Sequence, residues 1–174
     1  MKTNVIQILA IFAALIFAGS CSKSDSPEPD LTPANIKLTP VALQAIQSSN
    51  EFGIGLFTRV AEEENMNLML SPLSASTVLT MLLNGCGENT YTQLKEMLNY
   101  PSGMTIGDIN EAYKSLVGQL LKADPDVKLS LANAIFYRNG FTVKPPFLAV
   151  MGNDYSATVG GLDFDSPSAL ATIN

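Results

Sequence analysis

The sequence predicts an α+β fold, and three observations carry that prediction. The 174 residues suffice for one domain with a real core. Residues 71–84, 89–98 and 108–122 place apolar side chains at helical spacing between start and stop signals. "VKLSLANAIFY", residues 127–137, alternates as a strand does.

Composition excludes several functions. Formal net charge is −6, charged residues are 15% of the chain and there are no basic runs. Nucleic acid is therefore not an expected partner, because Lys and Arg supply most of the affinity for phosphate. With no histidine in the chain, no Ser-His or Cys-His nucleophile pair and no His metal ligand can be built. No compact acidic motif, phosphate-binding glycine loop or metal-ligand cluster stands out either. The chain reads as a non-enzyme, without a cofactor or metal site. Its two cysteines, Cys21 and Cys86, cannot form a disulfide framework.

Residues 1–20 read as a signal peptide. Lys2 gives a positive n-region, and Ile8 to Ala18 is an unbroken apolar run, too short to span a bilayer as a helix. Ala18, Gly19 and Ser20 lead into Cys21, and this arrangement resembles a bacterial lipobox, whose cysteine is acylated and becomes the new N-terminus. Cys21 is thus the expected lipid-attachment residue and membrane contact; an ordinary cleaved signal peptide with Cys21 incidental is the alternative. Residues 21–40 read as a flexible tether, since Pro27, Pro29, Pro33 and Pro40 fix φ and remove donors among Ser and Asp. Asp25, Glu28 and Asp30 fit a solvated linker or a surface-export signal.

The folded part is expected over residues 41–174. Asn50 can cap a helix through Phe52, Leu56 and Val60. Gly53 and Gly55 weaken that helix by about 1 kcal/mol each, which makes sense where another element packs closely. "NLMLS", 67–71, fits a short buried strand. Ser71 then Pro72 is an N-cap and first-turn pair. The helix that follows has large apolar positions at Leu73, Val78, Leu79, Leu82 and Leu83, but a first turn and a half of only Ser74, Ala75, Ser76 and Thr77. Gly85 and Gly87 end it; Cys86 between them reads as a structural thiol. Thr90 and Gln93 have capping-box spacing for 89–98. Asp108 to Lys122 is amphipathic through Ile109, Tyr113, Leu116, Val117, Leu120 and Leu121. After a turn at 123–126, the strand 127–137 sets Val127, Leu129, Leu131, Ile135 and Tyr137 on one face, with Ser130, Ala132 and Ala134 on the other. Pro145 and Pro146 open another helix, 157–165 reads as a strand, and "SPSALATIN" begins a last helix.

Four stretches together resemble the N-terminal half of a serpin domain: "NEFGIGLF" at 50–57, "NLMLSPLSASTVLTMLLNGCGENTYTQLKEML" at 67–98, "LSLANAIFY" at 129–137, and the run to "LDF" at Phe164. The resemblance covers roughly residues 40–174. It implies a serpin-like architecture of N-terminal helices plus the first strands of a central sheet, an incomplete domain lacking the reactive-centre loop and C-terminal strands. Ser71, Ser74 and Asn133 then match positions of the shutter, where the sheet parts to admit the loop. Tight helix packing with a capping serine is the plainer account of Ser71 and Ser74. The implied function is inhibition of a serine or cysteine protease by loop insertion in a full-length protein, with this half not inhibitory alone. The alternative is a non-inhibitory surface lipoprotein using the scaffold for binding. Either would sit at a bacterial cell envelope, lipid-anchored and periplasmic or surface-exposed, the extracellular side being implied by the family.

Overall fold

The computed structural model describes residues 32–64 and 66–174. The signal peptide, Cys21 and most of the expected tether lie outside these residues.

The chain forms six helices and two strands among the described residues: α1 Pro40–Glu63, α2 Pro72–Leu83, α3 Glu88–Met97, α4 Ile106–Leu120, β1 Ala134–Arg138, α5 Pro145–Tyr155, β2 Thr158–Leu162 and α6 Ala169–Ile173. Thr39 opens α1, its Oγ1 accepting from the Ala42 N–H at 3.1 Å, and Pro40 takes the first turn where its missing donor costs nothing. Asn50 therefore lies mid-helix and is not a cap, because a better start stands upstream. Pro40 likewise belongs to this helix rather than to a tether. Residues 34–38 are also docked. The Ala34 N–H donates to the Ala123 carbonyl at 2.6 Å, and Lys37 and Gln119 exchange two bonds, N–H to Oε1 at 2.7 Å and Nε2 to the carbonyl at 2.8 Å. Leu38 packs against the core.

The buried stripe of α1 is made of small residues, Ala42, Ala45, Ser48 and Gly53, which lets α2 and α4 approach closely. At Gly53 a Cβ would stand 2.7 Å from the Pro72 Cβ; at Gly55 it would meet nothing within 4 Å. Only Gly53 answers a close approach.

One core cluster joins α1, α2 and α4 through Ala45, Leu83, Leu98, Tyr100, Ile109 and Ala112. Lys95 is buried at its edge, its Nζ donating to the carbonyls of Ser102 and Met104. A second cluster, Met81, Met151 and Tyr155, holds α5 against the sheet side through Ile135 and Val159. Helix α4 starts at Ile106, two residues before the expected Asp108, behind a capping box in which Thr105 and Asp108 exchange bonds. Helix α3 starts at Glu88 after Gly87 without a side-chain cap, so Thr90 and Gln93 fall inside it.

β1 and β2 pair in parallel from Ala134↔Thr158 to Arg138↔Leu162, with α5 as the crossover. The strand expected over 127–137 is therefore shortened to Ala134–Arg138. A ladder needs a partner for every rung, and β2 supplies five. Residues 127–133 carry no ladder, and Val127, Leu129 and Leu131 are exposed. The strand expected at 67–71 is absent for the same reason: Met69 is 92% exposed and, among the described residues, no strand lies beside it.

Candidate functional site

The site begins with the apolar, hydroxyl-rich helix α2. Ser71 caps it, its Oγ accepting from the Ser74 N–H at 3.4 Å, and the two hydroxyls lie 2.8 Å apart. Both serines are exposed. The buried hydroxyls are those of Ser76, Thr77 and Thr80. Ser76 and Thr80 donate back to the carbonyls of Leu73 and Ser76 at 3.1 and 2.7 Å, and Thr80 Oγ1 also meets the Tyr100 hydroxyl at 3.1 Å. Bonding back into the preceding turn lets a hydroxyl be buried without losing a partner. The hydroxyls thus make a narrow helix edge at no cost in unsatisfied groups.

Beside that edge runs an apolar groove of about 510 Å³, walled by Ile46, Gly53 and Phe57 of α1, by Leu73 and Ser76 of α2, and by Leu116 of α4. Ile54 and Phe57 lie open on α1, and Val78 and Leu82 on α2.

Asn133 sits just before β1. Its Nδ2 donates to the Tyr113 hydroxyl at 3.1 Å and to the Tyr155 carbonyl at 2.8 Å, while its own carbonyl accepts from the Thr158 N–H at 2.9 Å. The structure thus joins Ser71 to Ser74, whereas Asn133 bonds to a different group of residues. That group was not foreseen from the sequence. Tyr155, 1% exposed, stacks on Tyr113 with ring centroids 4.6 Å apart, and its hydroxyl donates to Asn110 Oδ1 at 2.6 Å. Asn110 and Asn84 exchange amide bonds at 2.8 and 2.9 Å, and Asn84 Nδ2 reaches the Thr80 carbonyl at 3.0 Å. Burial pushes the Tyr155 hydroxyl well above the usual phenol range, aided by the neighbouring Tyr100.

Among the described residues, no group of three His, Cys, Asp or Glu could hold a metal ion, and no helix is long and apolar enough to cross a membrane. Cys86 is a half-buried free thiol.

Comparison with known proteins agrees with this architecture. Human Serpin A9 is 30% identical over 173 residues, covering 94% of this chain and 41% of that protein. Mouse alpha-1-antitrypsin 1-3 is 27% identical, covering 92% of this chain and 40% of that protein. The chain therefore spans about two fifths of the length of these curated relatives. Human kallistatin superposes with a TM-score of 0.72 at 21% identity, over 78% of this chain and 37% of that one. Reactive-loop-cleaved human thyroxine-binding globulin gives 0.69 at 25% identity, over 76% and 40%. The family described as Serpin (serine protease inhibitor) matches residues 47–174, and the chain belongs to that family.

Proposed function

We propose that this chain is the N-terminal part of a serpin-type protease inhibitor held at a bacterial envelope through a lipid on Cys21. One observation carries the reading: the serpin-like half ends in unfinished surfaces. The groove beside α2 is apolar, and Val127, Leu129 and Leu131 of the unladdered segment are exposed where the fold calls for cover. In the complete protein a serine or cysteine protease cleaves a bait loop supplied by sequence beyond the matched region, and the loop inserts into the central sheet. Ser71, Ser74 and Asn133 then act at the place where the sheet parts, the two serines through their mutual hydrogen bond and Asn133 through its bonds to the Tyr155 carbonyl and the Thr158 N–H. Residues 1–20 direct export, and the tether sets the domain off a periplasmic or outer surface.

A second reading has its own support. The similar structures include human thyroxine-binding globulin, whose name describes a binder, so a non-inhibitory binding lipoprotein on this scaffold is the alternative.

Two measurements test the proposal. Residues 22–174, incubated with a panel of serine and cysteine proteases, form no SDS-stable complex, while a continued product that carries a bait loop forms one. A continued product that is cleaved without trapping any protease favours the binding module. Separately, Cys21→Ser abolishes incorporation of labelled palmitate and releases the protein from membranes; labelling that persists in the variant refutes the anchor.

A further inference from the structure

The hydrogen bonds around Tyr155 form one continuous relay across three helices and the sheet. It runs from Asn84 at the end of α2, through Asn110 on α4, to the Tyr155 hydroxyl, and from the Tyr155 carbonyl through Asn133 to the first rung of β1–β2. Every side chain in it is an uncharged amide or phenol. No buried side-chain polar atom among the described residues lacks a partner, and the relay's amides and phenols supply one another's partners.

The placement of Asn133 gives the relay a direction. The Tyr155 carbonyl belongs to the last turn of α5, where carbonyls have no partner within the helix. The next residue, Ser156, turns into the left-handed region at φ 50°, and β2 starts two residues later. Asn133 holds that carbonyl with its side chain and the Thr158 N–H with its backbone. One residue therefore fixes the α5-to-β2 corner and the point where the ladder begins. Upstream of it, residues 127–133 have no ladder; from Ala134 onward every residue of β1 has its partner.

We propose that Asn133, Tyr155 and Asn110 form a latch that couples the start of the β1–β2 ladder to the last turn of α2. The sheet's first rung and the end of α2 are then one cooperative unit, closed together and opened together. Losing the Asn133 donor leaves the Tyr155 carbonyl unpartnered and unstacks the corner. Losing the Tyr155 hydroxyl removes one of the two donors to Asn110 Oδ1, leaves the Asn84–Asn110 pair without its link to α5 and loosens the same ring at the other end. Buried networks of this kind exceed the sum of their pairs, because an unmade bond in a low-dielectric interior carries its full desolvation cost. This inference does not depend on whether the complete protein inhibits proteases.

Hydrogen exchange by mass spectrometry on the full chain tests it, with Asn133→Asp and Tyr155→Phe as variants. The aspartate keeps the shape, removes the donor and sets a carboxylate oxygen against the Tyr155 carbonyl; the phenylalanine keeps the ring and removes the hydroxyl. Each variant is expected to speed exchange in both 82–87 and 134–138 with 158–162, by at least about three- to tenfold, the effect of one net hydrogen bond, and by more for Asn133→Asp, which loses two. Amides of 44–52 in α1 keep their rate. If Asn133→Asp speeds only the sheet amides, or Tyr155→Phe speeds only 82–87, the two ends are independent and the latch is refuted. Should Asn133→Asp fail to fold, Tyr155→Phe decides alone, since unchanged sheet amides in that variant overturn the proposal.

Discussion

Gly53 and Gly55 differ by two positions and have opposite environments. A methyl at 53 would strike the Pro72 ring of α2, and one at 55 would project into open space. Gly53→Ala is expected to destabilise the chain by about 1–3 kcal/mol, the usual cost of overpacking. Gly55→Ala should leave stability unchanged or raise it by up to about 1 kcal/mol, through helix propensity and a less entropic unfolded state. Urea titrations of the two variants check the contrast, and equal midpoints would refute it. Tyr155 makes a second residue-scale prediction. Its phenol is held above the ordinary value of 10.0 by burial, so the folded state keeps a proton that the unfolded state releases. The associated stability is complete below pH 10 and declines above it by about 1.4 kcal/mol per pH unit. Tyr155→Phe removes that slope even though it lowers stability overall. Denaturation series at pH 9, 10 and 11 measure the slope, and parallel declines in both proteins would exclude the effect.

At the scale of elements, helix starts decide much of the fold. The reciprocal bonds between Thr105 and Asp108 satisfy two donors that α4 would otherwise leave open. They also hold the Asp108 carboxyl below its ordinary value, chiefly through the Thr105 hydroxyl. Thr105→Ala should cost about 1 kcal/mol, read as a lower thermal midpoint; an unchanged midpoint would show the cap to be idle. Where start signals were local, the sequence was readable. Ser71–Pro72 and Pro145–Pro146 open α2 and α5 where expected. Thr39–Pro40 is just as local, but it stands after three prolines whose density reads as a linker. Strands were less legible because alternation marks only a willingness to pair. Residues 127–133 alternate as well as 134–137 do, yet only the latter have rungs. The candidate site shows the same division. Ser71 and Ser74 are three apart on one helix, so their contact follows from helix geometry. Asn84, Asn110, Asn133 and Tyr155 come together from four separate segments, and no spacing within any one segment announces that meeting.

For the molecule as a whole, the exposed apolar surfaces set the behaviour in solution. Helices α1, α2 and α4 bury a common core, but the free edge of β1 and the open residues Val127, Leu129 and Leu131 offer a template to other chains. Residues 22–174, expressed as such, are therefore expected to self-associate while staying helical. Ala132→Lys or Ala132→Pro should raise the monomer fraction. Sedimentation velocity at several concentrations checks this, and a monomer that melts sharply and independently of concentration would contradict it. The clasp between Lys37 and Gln119 bears on a different property, the response to mechanical load. Tension applied ahead of residue 32 reaches the Ala34–Ala123 contact and the paired bonds at Lys37 before it reaches Thr39. Those bonds tie the leading segment to the far end of α4, so the pull is divided between two helices. The first rupture then peels residues 34–38 from α4, and α1 bears the full force only after that contact has gone.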